Sequence, residues 1–138
     1  MKKPVLISCA AALLISTAAL AAGSAQLMSS VPSTSLTVTD WYKQTVYDPS
    51  NTKIGEIMDV LVGSNGQVNA VIVGVGGFLG ADEKDVAVNF NSIQKTMKND
   101  KVYLTMDATK DALKRAPGFK YDSNKTTWVP DTSSNTKS

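Results

Sequence analysis

The chain has 138 residues, with 14 basic and 12 acidic side chains, no histidine and a single cysteine, Cys9. That length supports one domain with one core, and the near balance of charge leaves no electrostatic footprint for nucleic acid. Without histidine, Ser-His-Asp and Cys-His nucleophilic sites are excluded, and so are zinc sites that need histidine.

The N-terminus reads as a targeting segment. Lys2 and Lys3 precede an apolar, Ala-rich run over residues 5–20, and Ala19-Leu20-Ala21 places small residues where a signal peptidase reads. This predicts a signal peptide over residues 1–21 and export to the periplasm. The rival is an inner-membrane anchor over residues 4–22, close to the roughly 20 residues that a span needs but diluted by Ser8, Ser16 and Thr17. Cys9 follows Leu6-Ile7-Ser8 as in a lipoprotein signal, yet lies too near the start to leave a full apolar region before it. Cleavage after Ala21 removes Lys2 and Lys3, so that the remaining basic residues match the 12 acidic ones. It also removes Cys9, and with it any disulfide, and leaves no stable membrane span. Residues 22–39, rich in Ser, are expected to be a flexible linker.

Short strands follow with turn residues between them. Residues 44–47 (QTVY) form a β-prone run that ends in Asp48-Pro49-Ser50-Asn51. Residues 53–62 (KIGEIMDVLV) form a second strand, apolar on both parities, which implies two covered faces or a bulge that resets the register. Asn65-Gly66 predicts a type I′ hairpin leading into the strand VNAVIVGV over residues 68–75. Further strands are expected over residues 85–90 and, after Lys98-Asn99-Asp100, over residues 101–106. A helix over residues 109–116 has Thr109 as its cap, Asp111 in its first turn, Lys114 and Arg115 in its last, and Pro117-Gly118 as its stop. About two turns are not stable alone, so Leu113, with Ala112 and Ala116, must rest on the sheet. Residues 120–138 read as a polar tail. The pattern argues for a mainly β fold, a small antiparallel β-barrel or a β-rich α+β domain.

The glycine-rich stretch VGVGGFLGADEKDVAV, residues 73–88, raises the question of a phosphate loop. Gly74, Gly76, Gly77 and Gly80 put the third glycine of a dinucleotide fingerprint one place late, and a strand follows where a helix N-terminus is required. These four glycines therefore read as a structural corner between strands. Asp82, Glu83 and Asp85 lack the spacing of a calcium loop and enclose Lys84, so no metal site is expected, nor any cofactor. Asp59, inside an apolar strand, reads as a structural carboxylate that accepts backbone N–H groups. Trp41, Tyr42, Tyr47 and Trp128 offer a stacking surface or, as aromatics do more often in small β domains, core and edge cover.

The ordered run KIGEIMDVLVGSNGQVNAVIVGVGGFLGADEKDVAVNF, residues 53–90, resembles the PRC-barrel domain, and the flanks VYDPSNT and LTMDATKDALKRAPGF extend the likeness over residues 41–119. The resemblance implies a small antiparallel PRC-type barrel over residues 40–119 that acts by contacts with other proteins, as in the photosynthetic reaction-centre H chain and ribosome-maturation factors. The export signal and the lack of an RNA-associated companion domain depart from both. The expectation is a non-enzymatic interaction module in the bacterial cell envelope that binds a protein partner or a membrane-associated complex, with a homo-oligomer also compatible. Phe78 and Leu79, apolar residues flanked by glycines, are the expected partner contacts; the alternative is that they plug the barrel mouth. A second class of function is a small-ligand-binding barrel or a carboxylate-based hydrolase using Asp59 or the carboxylates at 82–85.

Overall fold

The computed structural model describes residues 2–4, 25–76 and 83–135, and the chain divides into two compact units, Met1–Ser33 and Thr34–Ser138. In the first unit, residues 25–33 carry no helix or strand, and Leu27, Met28 and Val31 are exposed. The expected signal peptide lies outside the described residues apart from 2–4. Among the described residues no helix is long and apolar enough to cross a membrane.

Among the described residues the second unit holds all the strands: β1 (Thr45–Tyr47), β2 (Lys53–Val62), β3 (Val68–Val75), β4 (Lys84–Asn89), β5 (Ile93–Lys98), β6 (Lys101–Met106), β7 (Phe119–Asp122) and β8 (Thr127–Pro130), with the α-helix α1 (Lys110–Arg115) between β6 and β7. They form one sheet of eight strands in the order β5-β6-β1-β2-β3-β4-β7-β8.

The expected closed antiparallel barrel is corrected on both counts. β1 and β6 run parallel, with Val46 opposite Leu104 and Tyr47 opposite Thr105, so the sheet is mixed. It is also open, since β5 and β8 are its two edges. The physical reason is the connectivity. The chain returns to the free side of β1 only after β2 to β5 have been laid down, and β6 then lies beside β1 in the same direction. At the other end β7 meets β4 through a single pair, Asp85 with Phe119, and the β7–β8 hairpin does not carry the sheet round to β5.

One face of this sheet builds the core. Val46, Ile54, Ile57, Val71, Val73, Val75, Val86 and Leu104 are essentially inaccessible, and Trp41, Ile93, Met106 and Leu113 close the cluster. The period-2 alternation of β3 puts Val71, Val73 and Val75 on that face. β2 reaches it with both Ile57 and Val60 because its register against β3 skips Met58: Ile57 pairs with Val73 and Asp59 with Ile72. This bulge is why the apolar residues of β2 fall on both parities.

The turn between β2 and β3 differs from expectation in type. Between β2 and β3 only Gly66 has positive φ, at 77°, and its N–H donates to Gly63 O at 2.9 Å. This is a type I turn followed by a glycine bulge, not type I′. Positive φ at two successive residues occurs instead at Asn99 and Asp100, the two-residue loop of the β5–β6 hairpin.

α1 starts at the Thr109 cap, whose hydroxyl accepts from Ala112 N at 3.1 Å. Leu113 is buried and Ala116 packs on the core, whereas Ala112, expected on the sheet, is exposed. Within the polar stretch 120–138, residues 120–130 belong to the β7–β8 hairpin. Tyr121 and Trp128 sit opposite one another there in an edge-on ring contact at 5.9 Å.

Candidate functional site

Three places on the second unit gather polar or aromatic side chains. The first is the outer face of β2, β3 and β4. Register puts Glu56, Gly74 and Asp85 in one row across the three strands, and Asp59, Ile72 and Ala87 in the next. Gly74 is glycine for lack of room: a Cβ there would meet the Glu83 carboxylate and, at 2.9 Å, Met58 Cγ. Gly76 has no atom within 4 Å of where its Cβ would stand. Gly77, Phe78, Leu79, Gly80 and Asp82 lie outside the described residues. β4 begins at Lys84, so a strand follows the glycine corner.

Asp59 lies beside the bulge and has both oxygens engaged. Oδ1 accepts from Val60 N and Oδ2 from the Trp128 indole Nε1, each at 2.8 Å. β8 is four strands from β2 in the order of the sheet, so this bond requires the β7–β8 hairpin to fold back across the outer face. That fold also accounts for Ile72, fully buried although it points away from the core-facing Val71 and Val73. The backbone donor is legible in the sequence. The indole is not, because residues 120–138 carry no apolar period that points to the sheet.

Asp85 stands apart. Its Oδ1 is buried with no hydrogen-bond partner among the described residues, and burial first, then the neighbouring Glu83 charge, push its carboxyl above the usual range. Asp40 moves the other way, held low chiefly by the hydrogen bond from Lys95 Nζ at 2.8 Å. Neither carboxylate belongs to a metal-binding constellation: the described residues contain no group of three or more acidic, His or Cys side chains placed to hold an ion.

The second place is a cleft of about 380 Å3 between β1 and the start of β6, with Lys43, Lys98 and Lys101 on its walls beside Tyr47 and Tyr103. The two tyrosine rings stack at 4.7 Å and 16°, and Lys98 Nζ lies 4.8 Å from the Tyr103 ring centre. The third is a groove of about 720 Å3 beneath residues 34–38, floored by Trp41, Val60 and Phe90. Trp41 is 3% exposed and packs on Phe90 at 4.6 Å. Of the four aromatics that had offered a stacking surface, Trp41 is thus core, Tyr47 stacks in the cleft, Trp128 pins the hairpin and Tyr42 is exposed.

The family model of the PRC-barrel domain matches residues 34–113, more than half of the chain. The chain belongs to the PRC-barrel family. No curated protein matches it in a sequence comparison. A PRC-barrel domain is a protein-interaction type of domain, and in this member the match covers β1 to β6 and most of α1, while the β7–β8 hairpin lies beyond it.

Proposed function

We propose that this PRC-barrel protein is an exported, non-enzymatic interaction module of the bacterial cell envelope that binds a protein partner or a membrane-associated complex. The family match carries the reading. The packing agrees with it: among the described residues the inner face is filled by aliphatic side chains and no polar or charged residue is buried, so the working surface is the outside of the sheet and its edges. The same filling weighs against a small-ligand barrel, and the two bonds to Asp59 occupy the carboxylate that a hydrolase reading had favoured. Export rests on the character of residues 1–21, and Phe78 and Leu79 remain the contact residues we propose at the glycine corner.

Affinity capture from the envelope fraction tests the reading. The protein is expected to mature at Ala22, by mass spectrometry of its N-terminus, and to retain a discrete envelope protein that Phe78→Ser releases while thermal unfolding changes little. Recovery with residues 1–21 intact in the cytoplasm, or a loss of capture that only tracks unfolding, would sink it.

A further inference from the structure

We infer that the cleft between β1 and β6 is a docking site for an extended acidic segment of the protein partner; this rests on the proposed role as a protein-binding module. Four observations converge on it. Lys98 and Lys101 face each other directly across the β5–β6 hairpin, a like-charge pair that destabilises a hairpin end. Lys43 lines the same cleft, and among the described residues none of the three has a carboxylate within ion-pair distance; Lys43 and Lys98 lie instead over the Tyr42 and Tyr103 rings, at 5.6 and 4.8 Å. An anion lying between them relieves a repulsion that the fold alone leaves in place.

The backbone of Lys43 is the third observation. It has φ 62°, a left-handed conformation that disfavours any residue with a Cβ. It is held there by Lys43 N donating to Ile57 O at 2.8 Å and Gln44 N to Trp41 O at 3.0 Å. A glycine would fit the backbone better, and a lysine stands there instead. The fourth is strand pairing. The parallel pairs of β1 with β6 are Val46 with Leu104 and Tyr47 with Thr105, so no ladder pair reaches residues 101–103, and Lys43, Gln44 and Thr45 stand across the cleft from them. An extended peptide can lie along that edge, taking its affinity from main-chain bonds and its selectivity from the lysines.

The cleft lining itself contains no carboxylate, although Asp100 sits in the adjoining turn. A neighbouring hollow that shares Lys98 and Tyr103 carries Asp48 and Asp107, which limits the anionic preference to the first cleft. Lysines without an arginine fork suit single carboxylates better than bidentate phosphate recognition, which favours an acidic peptide over a lipid headgroup.

The test is a titration of the protein, as recovered from cells, with a synthetic ten-residue glutamate-rich peptide, followed by backbone amide NMR shifts at low and high salt. Shifts are expected at Lys43, Gln44 and residues 98–103, with affinity falling as salt rises. Lys98→Glu with Lys101→Glu is expected to weaken binding by about fivefold or more, and the charge-matched control Lys110→Glu with Lys125→Glu to leave it within about twofold. Lys43→Gly separates site from scaffold: binding weakens while thermal stability is unchanged or raised. Equal losses in the charge-matched control, or shifts elsewhere on the sheet, would overturn the assignment. So would binding to vesicles rich in anionic lipid with none to the peptide. If the peptide fails while envelope capture of a partner persists, the cleft is wrong and the interaction role stands.

Discussion

Asp85 carries a titration whose sign follows from its surroundings. Burial and Glu83 favour its protonated form in the folded state, so the fold binds this proton more tightly than the unfolded chain does. Stability from this residue is therefore greatest near or below its ordinary value of 3.8 and falls as pH rises through the raised one. Asp85→Asn is expected to gain on the parent protein as pH climbs from acid to neutral; urea unfolding at several pH values checks this, and a constant difference would contradict it. At Asp59 the test is a hydrogen bond: Trp128→Phe removes a donor to a part-buried acceptor. A loss of about 1–2 kcal/mol is expected in the same assay. Glycines divide by the room around them: a Cβ at Gly55 would lie 2.5 Å from Val73 Cγ1 and 3.0 Å from Gly74 O, whereas Gly76 is open. Gly55→Ala is expected to cost about 1–3 kcal/mol and Gly76→Ala less than about 0.5 kcal/mol.

At the scale of elements, the β7–β8 hairpin is the loosest part of the sheet by its bonding. One pair, Asp85 with Phe119, joins it to β4, and the Trp128–Asp59 bond draws it over the outer face. Its amides are expected to exchange with solvent at least about tenfold faster than those of β2 and β3, measured by native-state hydrogen exchange. Equal protection would mean that the hairpin unfolds only with the whole domain. This hairpin and β5 were also the elements the sequence concealed. β2, β3, β4, β6 and α1 announced themselves through Val-rich runs, a capping threonine and glycine or proline punctuation. β5 reads IQKTMK, with Ile93 its only buried residue, because an edge strand covers the core with one end alone. β7 and β8 are four residues each, among Lys, Asp, Asn and Thr, and only long-range contact marks Trp128 as more than a surface aromatic. The parallel β1–β6 pair was hidden for a similar reason, since strand direction depends on where the chain returns and no local residue encodes it.

At the scale of the molecule, an open eight-stranded sheet with an aliphatic inner face leaves two strand edges and one lysine-lined cleft available to other chains. The polar features of the site candidates fit that architecture: Asp59 holds the hairpin, and the cleft gathers lysines that have no carboxylate partner among the described residues, beside a stretch of β6 that no β1 ladder pair reaches. Residue-level chemistry and whole-sheet topology thus point to recognition by the outside of the domain, as its family suggests. Site-specific photo-crosslinking in living cells tests this most directly, with the reactive side chain placed in turn at positions 78, 101 and 125. Discrete adducts with one envelope protein are expected from 78 and 101 and none from 125, which lies in the β7–β8 turn. A folded, exported protein that yields no adduct from either 78 or 101 would contradict the account.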